Sequence, residues 1–213
     1  EYKMNVYLSD VPPHRVAWAA PAVDPETGNI YAYGVGGLFV ALNRSGKLLW
    51  HRSMVEEQGL VTTHGGRTVS PVIHQDLVAV SGVSTGWGEF ARASHRFFAF
   101  DKKTGEFVWI SNPGGRPFDT TYSPPTIAEV NGVKLFIAGN GDGAVHALKV
   151  LTGEPVWSFP MSKRGINTGV LVQNNMAIVT HSEENLDTSE MGLMAAVNAA
   201  GKGVLGKDDI KWK

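Results

Sequence analysis

The sequence predicts an all-β protein, a β-propeller of four-stranded antiparallel blades, with about four blades in this chain. Two observations support this prediction: one hairpin motif occurs four times, and its tryptophans are spaced by roughly 50 residues. These tryptophans are Trp50, Trp109, Trp157 and Trp212. A propeller blade cannot bury both of its faces alone, so blades stack and the sequence repeats. A β-sandwich is the structural alternative, but it requires no such period.

The repeated motif is a β-hairpin that runs from a small alanine to a large tryptophan. Its clearest copy is AFDKKTGEFVW at residues 99–109, and the other copies lie at 41–50, 147–157 and 196–212. Glycine suits the turn because it accepts positive φ, and Asp or Asn before it bonds to nearby backbone groups. Alanine and tryptophan at fixed offsets suggest a recurrent packing pair. The last copy carries an insertion in its turn.

Two further strands precede each hairpin. The first begins at a proline in three copies, which is tolerated at the first residue of a strand, and a short apolar run follows it. The chain is therefore predicted to be one partial propeller over residues 1–213, with approximate blades at 14–60, 64–112, 120–160 and 165–213. A strand-like piece at 4–8 is predicted to be the outer strand of a preceding blade. Both ends would leave open edges, so we expect the chain to be part of a larger ring.

Composition excludes several classes of function. The formal net charge is −1, which provides no electrostatic case for a nucleic-acid or anionic-membrane partner. The chain has no cysteine, which excludes disulfides, thiolate metal sites and a cysteine nucleophile. Its longest apolar runs have the length of strands, so no transmembrane segment is predicted.

The motif resembles a known repeat. The pattern Ser-Pro-x-Ile, found at 70–73, followed by Ala-x-Asp-x-x-Thr-Gly-x-x-x-Trp, is similar to the repeat of the pyrroloquinoline-quinone (PQQ) type β-propellers. That family includes quinoprotein alcohol and glucose dehydrogenases and also cofactor-free relatives, such as the propeller lipoprotein of the bacterial outer-membrane β-barrel assembly machine. The sequence departs from the pattern at Lys149, where aspartate is usual, and it lacks the cysteine pair of many alcohol dehydrogenases.

The resemblance carries several implications. It implies an eight-bladed ring in the periplasm or otherwise exported, with the remaining blades in the same or another chain. It implies that Trp50, Trp109, Trp157 and Trp212 dock neighbouring blades. It also implies PQQ and calcium as cofactors if the chain belongs to an enzyme.

Two long connections suggest a binding surface. Residues 82–95 and 181–192 are longer than a hairpin needs, and in a four-stranded meander both fall on the same face. We expect a protein or small-molecule ligand to bind there. The alternative is that these loops vary within the family without a function.

Residues before the first strands form a second candidate site, because these strands surround the axis of a propeller. The cofactor-binding candidates are Trp18, Arg67, Tyr122 and Asn167. Aromatic, guanidinium and amide groups would suit a planar anionic ligand such as a quinone carboxylate. Blade packing or turn bonding is the alternative role for each of them.

Other motifs predict little chemistry. No histidines have zinc spacing, although His64 and His181 border the proposed face and His146 is predicted to be structural. The acidic run 183–190 lacks the alternating pattern of a calcium loop, and the glycine-rich stretch 139–143 has no helix after it. The sequence therefore favours a binding or scaffold module, with a quinoprotein oxidoreductase that uses PQQ and calcium as the alternative.

Overall fold

The structure, a computed structural model, describes residues 1–4, 11, 14, 18–61 and 68–213. It contains four β-sheets, which confirms the predicted all-β, propeller-type fold. The chain divides into two units, Glu1–Ile110 and Ser111–Lys213, and each unit contains two of the sheets. The strand predicted at 4–8 lies largely outside the described residues.

The first unit is formed by sheets 1 and 2, in which each strand pairs with the next one along the chain. Sheet 1 contains β1 (Ala22–Val23), β2 (Ile30–Tyr33), β3 (Leu38–Leu42) and β4 (Leu48–Ser53). A short helix, α1 (Met54–Gln58), follows β4. Sheet 2 contains β5 (Val72–His74), β6 (Leu77–Ser84), β7 (Ser94–Asp101) and β8 (Phe107–Ser111).

The second unit is formed by sheets 3 and 4. Sheet 3 begins with β9 (Thr126–Val130), β10 (Val133–Gly139), β11 (Ala144–Lys149) and β12 (Pro155–Pro160). Sheet 4 begins with β13 (Leu171–Gln173), β14 (Met176–Glu184) and β15 (Met191–Asn198). The chain then forms β16 (Gly203–Val204), which joins sheet 3, and β17 (Ile210–Trp212), which completes sheet 4.

The predicted alanine–tryptophan pairs are directly opposite one another in three hairpins. Ala41 faces Trp50, Ala147 faces Trp157 and Ala196 faces Trp212. A register shift follows each of these alanines. The same irregularity therefore recurs with the motif, and such a bulge bends the strand and increases its twist.

The insertion in the last hairpin changes the predicted four strands of sheet 3 to five. Its residues Gly203–Val204 form β16, which pairs in parallel with β12. Leu205 is buried there, and its N–H donates to the carbonyl of Ser158 at 2.8 Å. The insertion therefore covers an edge of sheet 3 whose backbone groups would otherwise be unpaired.

Each unit has an apolar core between its two sheets. In the first unit the core is rich in aromatic side chains, and Phe39 makes edge-to-face contacts with Trp50 and Phe100 at centroid distances of 5.2 and 5.7 Å. Such contacts favour a single arrangement of the rings. In the second unit the core consists mainly of aliphatic residues around Trp157 and Phe159.

Candidate functional site

The two predicted long loops are shorter than the sequence suggested, because their flanks continue the strands. Pairing extends to Ser84 opposite Ser94 in sheet 2 and to Glu184 opposite Met191 in sheet 4. The connections themselves are residues 85–93, here called loop A, and 185–190, here called loop B. In sheets 1 and 3 the second and third strands are joined by tight turns at 34–37 and 140–143.

Loop A holds its shape through hydrogen bonds of its own. The N–H of Gly86 donates to the carbonyl of Phe90 at 2.7 Å, and the hydroxyl of Thr85 donates to the carbonyl of Ala91 at 2.7 Å. Residues Gly88–Phe90 form one turn of 3₁₀-helix. Trp87 is 93% exposed, so the loop presents a large aromatic side chain to solvent.

Loop B is also hydrogen-bonded and carries apolar side chains. The N–H of Asn185 donates to the carbonyl of Glu190 at 3.1 Å, and the amide nitrogen of its side chain donates to the carbonyl of Gly192 at 3.2 Å. Leu186 and neighbouring Met191 are exposed. Both loops therefore hold apolar groups in solvent on a bonded backbone.

The acidic residues around loop B pair with lysines. Glu184 forms an ion pair with Lys163, and Asp187 forms one with Lys213 at 3.1 Å. The hydrogen bond from Lys213 holds the pKa of Asp187 below its usual value. Within the described ranges, no three His, Asp or Glu side chains cluster closely enough to hold a metal ion.

Two of the four predicted cofactor-binding residues lie on neighbouring segments of the second unit. The hydroxyl of Thr121 donates to the carbonyl of Ile166, and that of Ser123 donates to the carbonyl of Thr168 at 2.7 Å. These bonds place the segments of Tyr122 and Asn167 side by side. Both residues are half-buried, and the side-chain oxygen of Asn167 is buried without a hydrogen-bond partner among the described residues.

The other two predicted cofactor-binding residues lie elsewhere. Trp18 belongs to the first unit and is 39% exposed. Arg67 lies outside the described residues, as does His64. The quinone-binding role of this set stays a prediction.

His146 forms a buried pair with Asp142. Its Nε2 atom lies 3.2 and 3.1 Å from the two carboxylate oxygens, and the N–H groups of Gly115 and Ala144 also donate to that carboxylate. Burial raises the pKa of Asp142, but these bonds outweigh burial and the net pKa is lowered. A Cβ at Gly114 would lie 2.3 Å from the Asp142 carboxylate. The pair therefore ties the chain at 114–115 to β11.

His181 is buried at the end of the regular pairing between β14 and β15. Burial lowers the pKa of its imidazole, and backbone groups of Met161 and Glu183 oppose that shift. The side chain is therefore kept largely neutral near pH 7.

A cleft of about 460 Å³ lies in the first unit between α1, loop A and β8. Gly59 ends α1 with a φ of 60°, and its carbonyl accepts the N–H of Thr85 at 2.9 Å. A Cβ at Gly59 would lie 1.7 Å from the Thr85 carbonyl oxygen. Only glycine at position 59 permits the end of α1 to approach loop A this closely. The end of α1 and loop A together form one wall of the cleft.

Arg96, which was not among the predicted site residues, lines this cleft. Its Nη1 donates to the carbonyl and hydroxyl of Ser84 at 2.5 and 2.9 Å, and its Nη2 donates to the carbonyl of Arg92 at 3.0 Å. Only 1% of the residue is exposed, and no carboxylate of a described residue lies within 4.0 Å of its guanidinium. The available signal was strand alternation, which places Arg96 on the same face of β7 as the core residues Phe98 and Phe100.

The motif tryptophans differ in their surroundings. The indole Nε1 of Trp50 donates to the carbonyl of Lys102 in the next sheet at 3.1 Å, and that of Trp157 donates to the carbonyl of Ala199 at 2.9 Å. Trp109 is buried, whereas Trp212 is 44% exposed.

No helix in the described part of the chain is both long and apolar enough to cross a membrane.

Successive β-sheets built around a repeated alanine–tryptophan hairpin define a β-propeller repeat protein. A family model for PQQ-like repeats, described as "Outer membrane protein assembly factor BamB", matches residues 93–200, about half of the chain. The chain belongs to this PQQ-like repeat family. A comparison with curated proteins finds no match.

Solved structures show the same fold. BamB from Moraxella catarrhalis is 17% identical with a TM-score of 0.58, and the match covers 85% of this chain and 49% of that one. The quinohemoprotein alcohol dehydrogenase ADHIIG from Pseudomonas putida HK5 is 17% identical with a TM-score of 0.64, covering 95% and 34%. A europium-containing methanol dehydrogenase is 16% identical with a TM-score of 0.58, covering 88% and 40%. The chain thus spans about half or less of the length of these proteins.

Proposed function

We propose that this chain is a non-catalytic binding module of a PQQ-like β-propeller, which holds a protein partner on loops A and B. One observation carries the proposal. The second-to-third-strand connections alternate between tight turns and bonded loops; the bonded loops carry exposed Trp87 and Leu186, and exposed Met191 directly follows loop B. Large apolar side chains kept in solvent on ordered loops are typical of interaction surfaces.

The polar groups near loop B support binding more than catalysis. Glu184 and Asp187 are engaged by lysines, and the Asp142–His146 pair has a bonding role between two segments. A catalytic acid or base needs a group within reach of a substrate proton. The described residues offer ordered apolar loops instead, which suit a partner surface.

The second candidate function is a quinoprotein oxidoreductase with PQQ and calcium. The observation that favours it is the buried side-chain oxygen of Asn167, which lacks a partner among the described residues and lies on the segment beside Tyr122. These two residues would hold the quinone, whose bound form would supply hydride acceptance. Two carboxylates of the acidic run 183–190, those of Glu184 and Asp187, already pair with lysines, which competes with their use as calcium ligands.

The family supports two further parts of the proposal. Relatives of this kind imply an exported, periplasmic location and a ring of about eight blades. The remaining blades would come from the same polypeptide or from another chain.

Photo-crosslinking in the native host tests the partner-binding proposal. A photoreactive phenylalanine replaces Trp87 or Leu186. The control position is Leu151, whose exposure of 56% lies between those of Leu186 and Trp87, and which belongs to the turn between β11 and β12. The proposal predicts one protein partner crosslinked from both loops and not from the control. Replacing loop B by a two-residue Asn-Gly turn should then lower the affinity of that partner at least about tenfold. A folded replacement variant that binds the partner with full affinity would refute the role of the loop.

A further inference from the structure

The cleft of the first unit has an unusual polar floor. Arg96 is almost fully buried, yet it lies at the end of an apolar stripe on β7 that continues through Phe98 and Phe100. A buried cation without a counter-ion is costly, because the charge has lost its hydration. Among the described residues Arg96 has only carbonyl and hydroxyl partners, so its charge is solvated by dipoles but not neutralised.

The guanidinium of Arg96 has more N–H donors than hydrogen bonds to described residues. A guanidinium has five N–H donors, and the three bonds to Ser84 and Arg92 use three of them. The Nε–H is buried without a partner among the described residues. Nη1 makes two of the three bonds and Nη2 makes one, so by this count one N–H of Nη2 also has no partner among them. Two N–H groups of one guanidinium match the two oxygens of a carboxylate in a bidentate pair.

The walls of the cleft supply an aromatic environment. The guanidinium carbon of Arg96 lies 5.1 Å from the centroid of the Phe90 ring. Phe107 and Ile110 of β8 form the apolar wall, and Trp87 lies at the rim. A volume of about 460 Å³ falls within the range of small-ligand pockets. An aromatic ring of similar size to these side chains would bury apolar surface here.

Charge at the rim limits the ligand. Glu56 and Glu57 of α1 also line the cleft. The Glu57 carboxylate accepts the N–H of Ser53 at 3.1 Å and lies 3.5 Å from Arg52, and both glutamates are exposed. A second negative charge on the ligand would be repelled at this rim. A single carboxylate placed on the arginine avoids that repulsion.

We propose that this cleft binds the carboxylate of a ligand that carries one negative charge beside an aromatic ring, with the carboxylate paired to Arg96 and the ring packed between Phe90 and β8. The site uses residues of loop A, but it does not depend on the proposed partner or on loop B. Two sources share this chemistry: a free aromatic acid and the C-terminal carboxylate of a peptide that ends in phenylalanine.

The rival role for Arg96 is to fasten loop A. The bonds to Ser84 and Arg92 already do this, and they account for neither the unused donors nor the adjacent cavity. A fastening role predicts that ligand charge is irrelevant. The two roles therefore differ in their response to an acid and to its neutral amide.

Titration of the full chain, labelled with ¹⁵Nε-arginine, tests the proposal. Phenylacetate and phenylacetamide are the probes, and two peptides ending in phenylalanine, one with a free carboxylate and one with a C-terminal amide, form the second arm. We expect saturable shifts of the Arg96 Nε–H signal with an acid and none with its amide. If only phenylacetate binds, the ligand is a free aromatic acid; if only the peptide with a free carboxylate binds, the ligand is a peptide C-terminus. Equal responses to acid and amide in both arms, or no response up to about 10 mM, would overturn the proposal.

Arginine variants test whether Arg96 itself binds the carboxylate. Arg96→Met should weaken acid binding at least about tenfold, whereas Arg116→Met, an exposed arginine of the second unit, should leave it unchanged. If Arg96→Met does not fold, the comparison of acid and amide binding to the wild-type protein still tests the proposed site. Replacing loop B should not affect acid binding. Loss of partner crosslinks with intact acid binding would refute only the partner role, and the converse would refute only this site.

Discussion

The indole Nε1 of Trp50 and the hydroxyl of Tyr31 both donate to the carbonyl of Lys102, at 3.1 and 2.9 Å. Lys102 follows Asp101, the first residue of the hairpin turn in sheet 2. In the second unit, Trp157 bonds in the same way to Ala199, the residue after Asn198. In these two pairs of sheets, the residue after the Asp or Asn of one hairpin turn accepts a hydrogen bond from the tryptophan of the preceding sheet.

Trp50→Phe should lower the free energy of unfolding by about 1–2 kcal/mol. The change removes one of two bonds to the Lys102 carbonyl and part of a ring that packs against Gly105, where a Cβ would lie 2.6 Å from the indole. Urea denaturation measures the loss. Trp87→Phe is the matched control, because Trp87 is 93% exposed and should change stability by less than about 0.5 kcal/mol. Equal effects of the two changes would contradict a docking role.

Lys102→Met should cost about 3–5 kcal/mol, because it leaves Asp24 buried without its cation. The Nζ of Lys102 lies 3.1 Å from Asp24 and 3.0 Å from Glu26, and both the lysine and Asp24 are buried. The double variant with Asp24→Asn should recover part of the loss. Lys103→Met, which removes an exposed ion pair with Asp76, should cost less than about 1 kcal/mol. A Lys102→Met variant as stable as this control would show that the buried pair contributes nothing.

Acid should destabilise the protein through Asp24 and Asp142. Burial raises the pKa of each, but hydrogen bonds from Thr27 and Lys102 to Asp24, and from His146 to Asp142, outweigh burial and lower it. A lowered pKa in the folded state gives stability above the ordinary value of 3.8 that is lost as pH falls below it. Melting temperatures between pH 6 and about 2.5 should therefore fall most steeply below about pH 4, and less steeply in Asp142→Asn. An unchanged slope in that variant would contradict the assignment.

Gly59→Ala should destabilise the chain more than Gly88→Ala. Both glycines have a φ of 60°, so each alanine pays the same left-handed strain of about 1–2 kcal/mol. At Gly88 nothing lies within 4 Å of the new Cβ, whereas at Gly59 the Thr85 carbonyl oxygen is 1.7 Å away. Chemical denaturation of the pair isolates the cost of the close approach. Identical losses would show that α1 and loop A can separate freely.

The local motif made the blades predictable. Asp101 and Asn43 each accept several turn donors through one side-chain oxygen, as the sequence suggested for Asp or Asn before Thr-Gly or Ser-Gly. Lys149 lacks such an acceptor, and its turn instead has an ion pair with Glu154 at 2.7 Å. The turn keeps its form because Gly153 still adopts positive φ and donates to the Lys149 carbonyl.

Features that depend on distant contacts were not predicted. The helix α1 had a local signal, since Ser53 accepts the N–H of Glu56 as an N-cap, but its role depends on the contact between Gly59 and Thr85. The β16 strand pairs with residues far along the chain, which no local pattern specifies. Arg96 looked like one polar residue in an aromatic strand, and only the packing of α1 and loop A around it reveals a cleft.

The central claim is that the protein is a binding module without a redox cofactor. The most direct test begins by incubating the full-length protein with PQQ and calcium and removing the unbound quinone. An absorbance spectrum and a thermal melt of that sample are then measured. The account predicts no retained quinone band and a melting temperature equal to that of the untreated protein. A retained band with a raised melting temperature would show selective binding to the folded state and would favour the quinoprotein oxidoreductase.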